Sequence, residues 1–329
     1  MKKAELLAAY NLSKAKFFRK KIPLVVGWSV TNRCNWHCAY CTRWSDHSEE
    51  LDTKQIYSIL DELFQMGTYS INFTGGEPLI RDDIDRIVYY AKRKGINVTI
   101  SSNGSLVSQK IKEIRKANPL IIISYDGPQD VHGRQRQKDS YQSVLDAIEA
   151  AKKCNIFVKL HTVLTRHNIE HVDSILDFAK KLDLTVNFAV VEFTPFSKEE
   201  AVKTLLPPKD KYKSALKYLI FEKRKGNSSV SNSLSGLQYL EQWPEYRKIN
   251  CCAGRIYCRI ESNGDVFPCG NLIFKSKPRN CLELGFKNAF ENIEFNDCKS
   301  CWCDTRIELN RIYSFNLGAI LEVKRTYKL

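Results

Sequence analysis

Cys34, Cys38 and Cys41 fall in one short run, Cys34-Asn-Trp-His-Cys38-Ala-Tyr-Cys41. This C-x3-C-x2-C spacing brings three thiols to one side of a tight loop and leaves no obvious fourth protein ligand nearby. A [4Fe–4S] cubane ordinarily takes four cysteine thiolates. Held by three, it keeps one iron open to an outside ligand, and an open metal position usually means chemistry. The alternatives are a zinc knuckle or a redox cysteine set. Zinc asks for a fourth Cys or His close by. His37 lies inside the loop and His47 follows it, and neither has a usual zinc spacing.

A second set lies far downstream. Eight of the twelve cysteines fall between Cys251 and Cys303. Cys252 is followed by Gly264 and then by Pro268-Cys269, the pattern of a hairpin with a cysteine at each end. Cys298-Lys-Ser-Cys301-Trp-Cys303 comes later. Two distant cysteines plus a C-x2-C make a metal-site pattern, and four-cysteine zinc is the alternative to an iron–sulfur cluster. Cys154 and Cys281 read as structural.

Elements must hold these residues. Short β-branched runs at Val25–Val30, Ser70–Thr74, Asn97–Ser101, Leu120–Ser124, Phe157–Val163 and Thr185–Val191 read as strands. Helical patterns at Thr53–Met66, Asp82–Lys94, Ser108–Ala117, Ser140–Lys153, His171–Leu182 and Lys209–Lys225 alternate with them. Thr53 and Ser140 are expected to cap their helices, and Gly67 and Gly95 to end theirs. The alternation predicts an α/β fold, a partial (β/α)6 TIM-like barrel, with a small C-terminal cysteine-rich domain. The tract 226–236 is rich in Ser, Asn and Gly and reads as a flexible connection. The expected division is a basic N-terminal helix over 1–22, the barrel over 23–225, a linker over 226–250, the cysteine-rich domain over 251–311 and a tail over 312–329.

In parallel β/α folds the chemistry gathers at the C-terminal strand ends. Cys34 follows the first strand directly. Thr74-Gly75-Gly76-Glu77 follows the second, Ser101-Ser-Asn103-Gly104 the third and Ser124-Tyr-Asp126-Gly127 the fourth. Each such turn alone is common, but their joint placement is not expected by chance.

These residues resemble the radical S-adenosylmethionine (SAM) enzymes. Cys34, Cys38 and Cys41, with Tyr40 before the third cysteine, match the cluster motif. Gly75-Gly76-Glu77 matches the segment that holds the amino group of SAM, and Ser124 with the Asp126-Gly127 turn matches the fourth-strand pattern. The resemblance implies a [4Fe–4S] cluster on the three cysteines, with SAM held by Tyr40, Gly75, Gly76, Glu77, Asn103, Ser124 and Arg136. It implies reductive cleavage of SAM to a 5′-deoxyadenosyl radical that abstracts a substrate hydrogen, and a reductant protein such as flavodoxin or ferredoxin. The usual His-Asp pair is His132-Gly133 here, so His132 takes no role. The downstream cysteines resemble the SPASM/twitch extension, which implies an auxiliary [4Fe–4S] cluster on Cys252, Cys269, Cys298 and Cys301, with Cys251, Cys258 and Cys303 as substitutes. Cys303 departs from the full SPASM spacing, which favours a twitch-like domain with one cluster. Lys159 and His161 share one face of the fifth strand by alternation. If that face is the lumen, they are candidate catalytic residues.

The 329 residues carry a net charge of +14 with a pI near 9.2, which favours anionic partners. Lysines are spread along the chain without an RNA-binding signature, so nucleic acid is disfavoured. No apolar run reaches the roughly 18 residues of a membrane span, and no signal-peptide core is present. A cytoplasmic enzyme is expected. Leu6, Tyr10, Phe17 and Phe18 lie among the lysines of residues 1–21, as a helix that either contacts a membrane surface or caps the open barrel. The substrate reads as a small phosphorylated, sugar, nucleotide or lipid-linked molecule. A peptide- or protein-modifying maturase is the alternative, and a non-catalytic iron–sulfur or zinc scaffold the reading from another class.

Overall fold

The computed structural model describes residues 3–294, 298 and 300–326. The first half alternates strand and helix: α1 (Lys3–Phe17), β1 (Val25–Thr31), α2 (Thr53–Gln65), β2 (Ser70–Gly75), α3 (Ile84–Arg93), β3 (Asn97–Ser102), α4 (Val107–Ile114) and β4 (Leu120–Ser124). It continues through α5 (Gln129–Gln135), α6 (Ser140–Lys153), β5 (Val158–Leu164), α7 (Val172–Lys181), β6 (Thr185–Val190), α8 (Glu199–Leu205), α9 (Lys209–Arg224) and α10 (Leu234–Leu240). The C-terminal part holds β7 (Tyr257–Ile260), β8 (Asp265–Phe267), β9 (Arg279–Asn280), α11 (Cys281–Leu284), α12 (Phe286–Glu291), α13 (Asp304–Tyr313) and α14 (Leu317–Thr326).

Strands β1 to β6 pair in parallel and in chain order, the expected partial barrel. The helices bury apolar stripes at helical spacing against its outside. Ile56, Ile59, Leu60 and Leu63 do so on α2, and Val172, Ile175, Leu176 and Ala179 on α7. Gly67 and Gly95 end their helices at φ of +84° and +91°, a conformation that costs glycine least. The helix starts differ from expectation by one residue. Asp52 caps α2 with Gln55 in a reciprocal box, while the Thr53 hydroxyl donates to Asp83. Asp139, at φ of +61°, precedes α6 without a side-chain cap, so Ser140 is its first turn.

Two further departures concern the C-terminal part. β7 pairs in parallel with β1, Val26 opposite Cys258, and β8 and β9 extend from it antiparallel. The cysteine-rich region thus continues the barrel sheet. The tract after α9 is not a loose tether either. Ser231 N donates to the Val186 carbonyl and Val186 N to that of Ser229, while Asn232 brackets Phe188 through both amide atoms. Its serines and asparagines satisfy the open edge of β6, which no seventh barrel strand covers.

α1 closes the far side. Ala15 is fully buried with Ile22, Leu24, Ile256 and Tyr257, which is the capping arrangement. Leu6, Tyr10, Phe17 and Phe18 face outward. No helix among the described residues is long and apolar enough to cross a membrane.

Candidate functional site

The three upstream cysteines sit on the loop after β1. Cys41 N closes a turn on the Cys38 carbonyl at 3.1 Å, Ala39 N donates to Gln135 O at 3.0 Å and Thr42 N to Phe196 O at 2.8 Å. The glycines of β2 are what let this loop approach. A Cβ on Gly75, at φ of +132°, would stand 2.0 Å from the Thr31 carbonyl oxygen, and one on Gly76 2.1 Å from that of Arg33. Gly76 N donates to Thr31 O and Glu77 N to Arg33 O, each at 2.9 Å.

Cys34, Cys38 and Cys41 lie within electrostatic reach of one another. Burial pushes the Cys34 thiol up to about 11 and raises that of Cys38, which the Arg136 guanidinium partly offsets by a hydrogen bond. A cationic group between them would reverse that penalty. Beside them the buried Tyr40 hydroxyl has no partner among the described residues. Thiols facing one another, a glycine cradle and an orphaned hydroxyl suit a cluster with an organic ligand on its open side.

The remaining predicted residues divide in two. Ser124 and Tyr40 line a cavity of about 820 Å³ that fills the lumen. Glu77, Asn103 and Arg136 are bound into the protein instead. The fully buried Glu77 carboxylate accepts from Leu79 N, Ser102 Oγ and Asn103 N at 2.7–3.1 Å. Burial nonetheless pushes it up to about 7. Its side chain ties the β2 and β3 loops together. Asn103 Nδ2 donates to Asn35 Oδ1 at 2.9 Å and its Oδ1 accepts from Ser105. Arg136 is clamped by the fully buried Asp126, Nε to Oδ2 at 2.5 Å, and stacks 5.4 Å from the Tyr40 ring. His132, buried and lowered to about 4, accepts from Asp126 N through Nδ1 at 3.1 Å.

His161 and Val163 line the same cavity, so the alternating face of β5 is the lumen. Burial lowers both His161 and Lys159, against the pull of Asp304 in each case. Two residues that the sequence reading missed complete this wall. Asp304, buried at the start of α13, lies 4.0 Å from His161 Nδ1 and accepts from Asn187. Glu192, just past β6, accepts from Asn271 Nδ2 at 2.9 Å, and burial raises it to about 7. Asp304 was hidden by the adjacent Cys303, and nothing in the run Val191-Glu-Phe-Thr194 marks Glu192 as inward.

The downstream cysteines form the second group. Cys251 lies in electrostatic reach of Cys269 and Cys298, and Cys301 in reach of Cys303, Cys269 and Cys251. Cys252, fully buried, is in electrostatic reach of Cys251 and Cys269 as well. Its N–H donates to Asn310 Oδ1 at 2.9 Å, and its side chain packs with Ala15, Leu24 and Tyr313. The adjacent pair thus differs in surroundings, Cys251 within reach of both Cys269 and Cys298 and Cys252 reaching Cys269 from the core. Cys258, fully buried on β7, and Cys281 are core residues as well. Arg306 hydrogen-bonds Cys269 and lies 3.6 Å from the Tyr257 ring centre. Among the described residues no three His, Cys, Asp or Glu side chains converge closely enough to hold a single metal ion.

A third cluster of charge joins the two groups. Arg43, two residues past Cys41, donates to Asn32 Oδ1 and to Glu261 Oε2, each at 2.7 Å, and stacks 3.5 Å from Phe196. Burial pushes the Glu261 carboxyl up, and Arg259 and Arg43 outweigh it.

A family model described as the radical SAM superfamily matches residues 28–179. The mycofactocin maturase MftC of Mycolicibacterium smegmatis is 28% identical over 283 residues, 83% of this chain and 71% of that protein. The AdoMet-dependent heme synthase of Methanosarcina barkeri is 26% identical over 297 residues, 83% of each. The solved structure of native anSMEcpe with bound AdoMet and Cp18Cys peptide shares the fold at a TM-score of 0.63 and 17% identity, covering 92% of this chain and 99% of that one.

Proposed function

The chain is a radical SAM enzyme, and on that premise we propose that it oxidises or otherwise modifies a small molecule held in the barrel lumen. The observation that carries this reading is the lumen cavity, which runs without interruption from Tyr40, Cys41 and Ser124 to His161, Glu192 and Asp304. When bound, the [4Fe–4S] cluster and SAM supply a 5′-deoxyadenosyl radical that takes a hydrogen atom from substrate. Cys34, Cys38 and Cys41 hold the cluster, the Gly75-Gly76 backbone and Ser124 orient SAM, and the Tyr40 hydroxyl donates to it. His161, neutral through burial, accepts a proton at an imidazole nitrogen from the substrate side, and Asp304 stabilises the imidazolium that results. Glu192 orients substrate, while Lys159, outside the cavity lining, faces Asp304 and Glu308 behind it. Cys251, Cys269, Cys298 and Cys301 would hold an auxiliary cluster beside Arg306, which would supply an electron acceptor for the oxidation. A flavodoxin- or ferredoxin-type protein supplies the reductant, in the cytoplasm.

A peptide-modifying maturase is the second reading, favoured by the similarity to a mycofactocin maturase and by the peptide in the fold relative. The first test is anaerobic incubation of the reconstituted protein with SAM and dithionite. Formation of 5′-deoxyadenosine is expected; its absence at full iron loading would leave only the scaffold reading.

A further inference from the structure

The cavity does not end below the strand-end loops. It continues through the lumen to the far side of the sheet, where α1, α13 and α14 close the barrel. Its walls there include Ala8, Ala9 and Leu12 of α1 and Leu309, Ile312 and Phe315 from the C-terminal helices and their junction. These side chains offer carbon alone. Two polar side chains on the facing strands are turned to protein partners, Ser101 Oγ donating to Asn72 Oδ1 at 3.0 Å and Asn97 Nδ2 to the Tyr69 carbonyl at 3.3 Å, while Glu5 and the Tyr257 hydroxyl add isolated polar groups to the lining. A wall that is mostly carbon favours an apolar occupant along its length. At about 820 Å³ the space lies in the upper part of the roughly 300–1,000 Å³ range of small-molecule sites.

The far end carries the same chemistry to the surface. Phe315 stacks on Phe17 of α1 with ring centres 5.7 Å apart. Phe17, Leu317 and Leu321 are 71%, 75% and 65% exposed. Isolated exposed apolar side chains are ordinary, whereas a group of them at the end of an apolar passage is a rim. α1 is built to suit this. It turns two alanines to the cavity, which holds the helix off the lumen, and keeps Ala15 for the packing that anchors it.

We propose that the substrate is an amphiphile with a long hydrocarbon chain. The chain lies in the lower lumen between α1 and the α13–α14 pair, and the polar, reacting end sits beneath Tyr40 and Ser124. This rests on the lumen being the reaction chamber. α1 is then a wall of the substrate site, and a chain longer than the lumen leaves between Phe17 and Phe315.

The test titrates the reconstituted protein with octanoate, decanoate, dodecanoate and tetradecanoate by calorimetry, beside A9L and I312F, which fill the passage from opposite walls. Burial of each added methylene is expected to lower Kd about fourfold until the passage is full. In the two variants the gain is expected to stop at a shorter chain, with near-ultraviolet circular dichroism unchanged. Should A9L lose its fold, I312F reads the same wall from the other side. A flat series, or the same chain-length limit in all three proteins, would overturn the inference. The parent reading fails separately, by absence of 5′-deoxyadenosine from the wild-type protein without any carboxylate.

Discussion

Around Cys34, Cys38 and Cys41 the chain closes through backbone bonds, Ala39 to Gln135 and Thr42 to Phe196. Around Cys251, Cys269, Cys298 and Cys301 it closes through side chains. Asn310 fixes the Cys252 N–H, the Tyr239 hydroxyl accepts from Cys301 N at 3.1 Å, and Arg306 reaches Cys269. Backbone closure depends on the local turn and on glycine at 75 and 76. Side-chain closure depends on residues from α10 and α13 that only tertiary structure brings near. The first arrangement suits a site that must stay open on one side, because backbone bonds carry most of its closure. The second suits a group enclosed by protein.

The comparison breaks most severely at the cysteines. Cys38→Ala removes a thiol from the open site, and 5′-deoxyadenosine formation should fall by more than about a hundredfold, beyond the range for outer partners. Cys251→Ala should lose about four iron per chain while SAM cleavage persists. Cys252→Ala should keep its iron. Iron analysis beside 5′-deoxyadenosine yield checks all three, and iron loss in Cys252→Ala with retention in Cys251→Ala would reverse the assignment of the pair.

The arginines beside the two cysteine groups come next. Arg136→Met leaves the fully buried Asp126 without its cation, a loss of about 3–5 kcal/mol. Arg306 faces thiols and the Tyr257 ring, and among the described residues no carboxylate forms a salt bridge with it, so Arg306→Met should cost the apoprotein far less. Chemical denaturation of the two apoproteins measures the difference. Equal losses would mean that the two sites are braced alike. A smaller break is Tyr239→Phe, which removes one acceptor from Cys301 N. About 1 kcal/mol of stability and a tenfold drop in downstream iron affinity are expected, with the upstream site unchanged.

The same contrast explains what could be read in advance. All six barrel strands and the cysteine loop follow from local patterns, alternation of apolar runs and an eight-residue motif, so they sit where expected to within a residue or so. Cys251 and Cys252 are neighbours in sequence and are separated only by Asn310, some sixty residues on. Glu77 was legible as a position but not in orientation, since its partners Ser102 and Asn103 come from the next strand. The Ser/Asn tract 226–236 has the composition of a linker, and only the uncovered edge of β6 gives its side chains work.

The finest distinction concerns the two carboxyls that burial raises to about 7, Glu77 upstream and Glu192 in the cavity wall. A carboxyl raised in the folded state binds its proton more tightly there than in the unfolded chain. The stability it contributes is therefore whole below about 4.5 and is lost as pH climbs to about 7. Glu192→Gln removes this titration and keeps the oxygen that accepts from Asn271. Between those pH values the wild-type apoprotein should lose about 2–4 °C of Tm relative to E192Q. Glu77→Gln would behave otherwise. Its carboxylate accepts from Leu79 N, Ser102 Oγ and Asn103 N, so an amide there must set one of its own donors against another and lower Tm at every pH. Thermal melts of the three apoproteins across that window separate a group exposed to the lumen from one built into the frame. A pH-independent loss in E192Q would place Glu192 with the frame and remove it from the substrate wall.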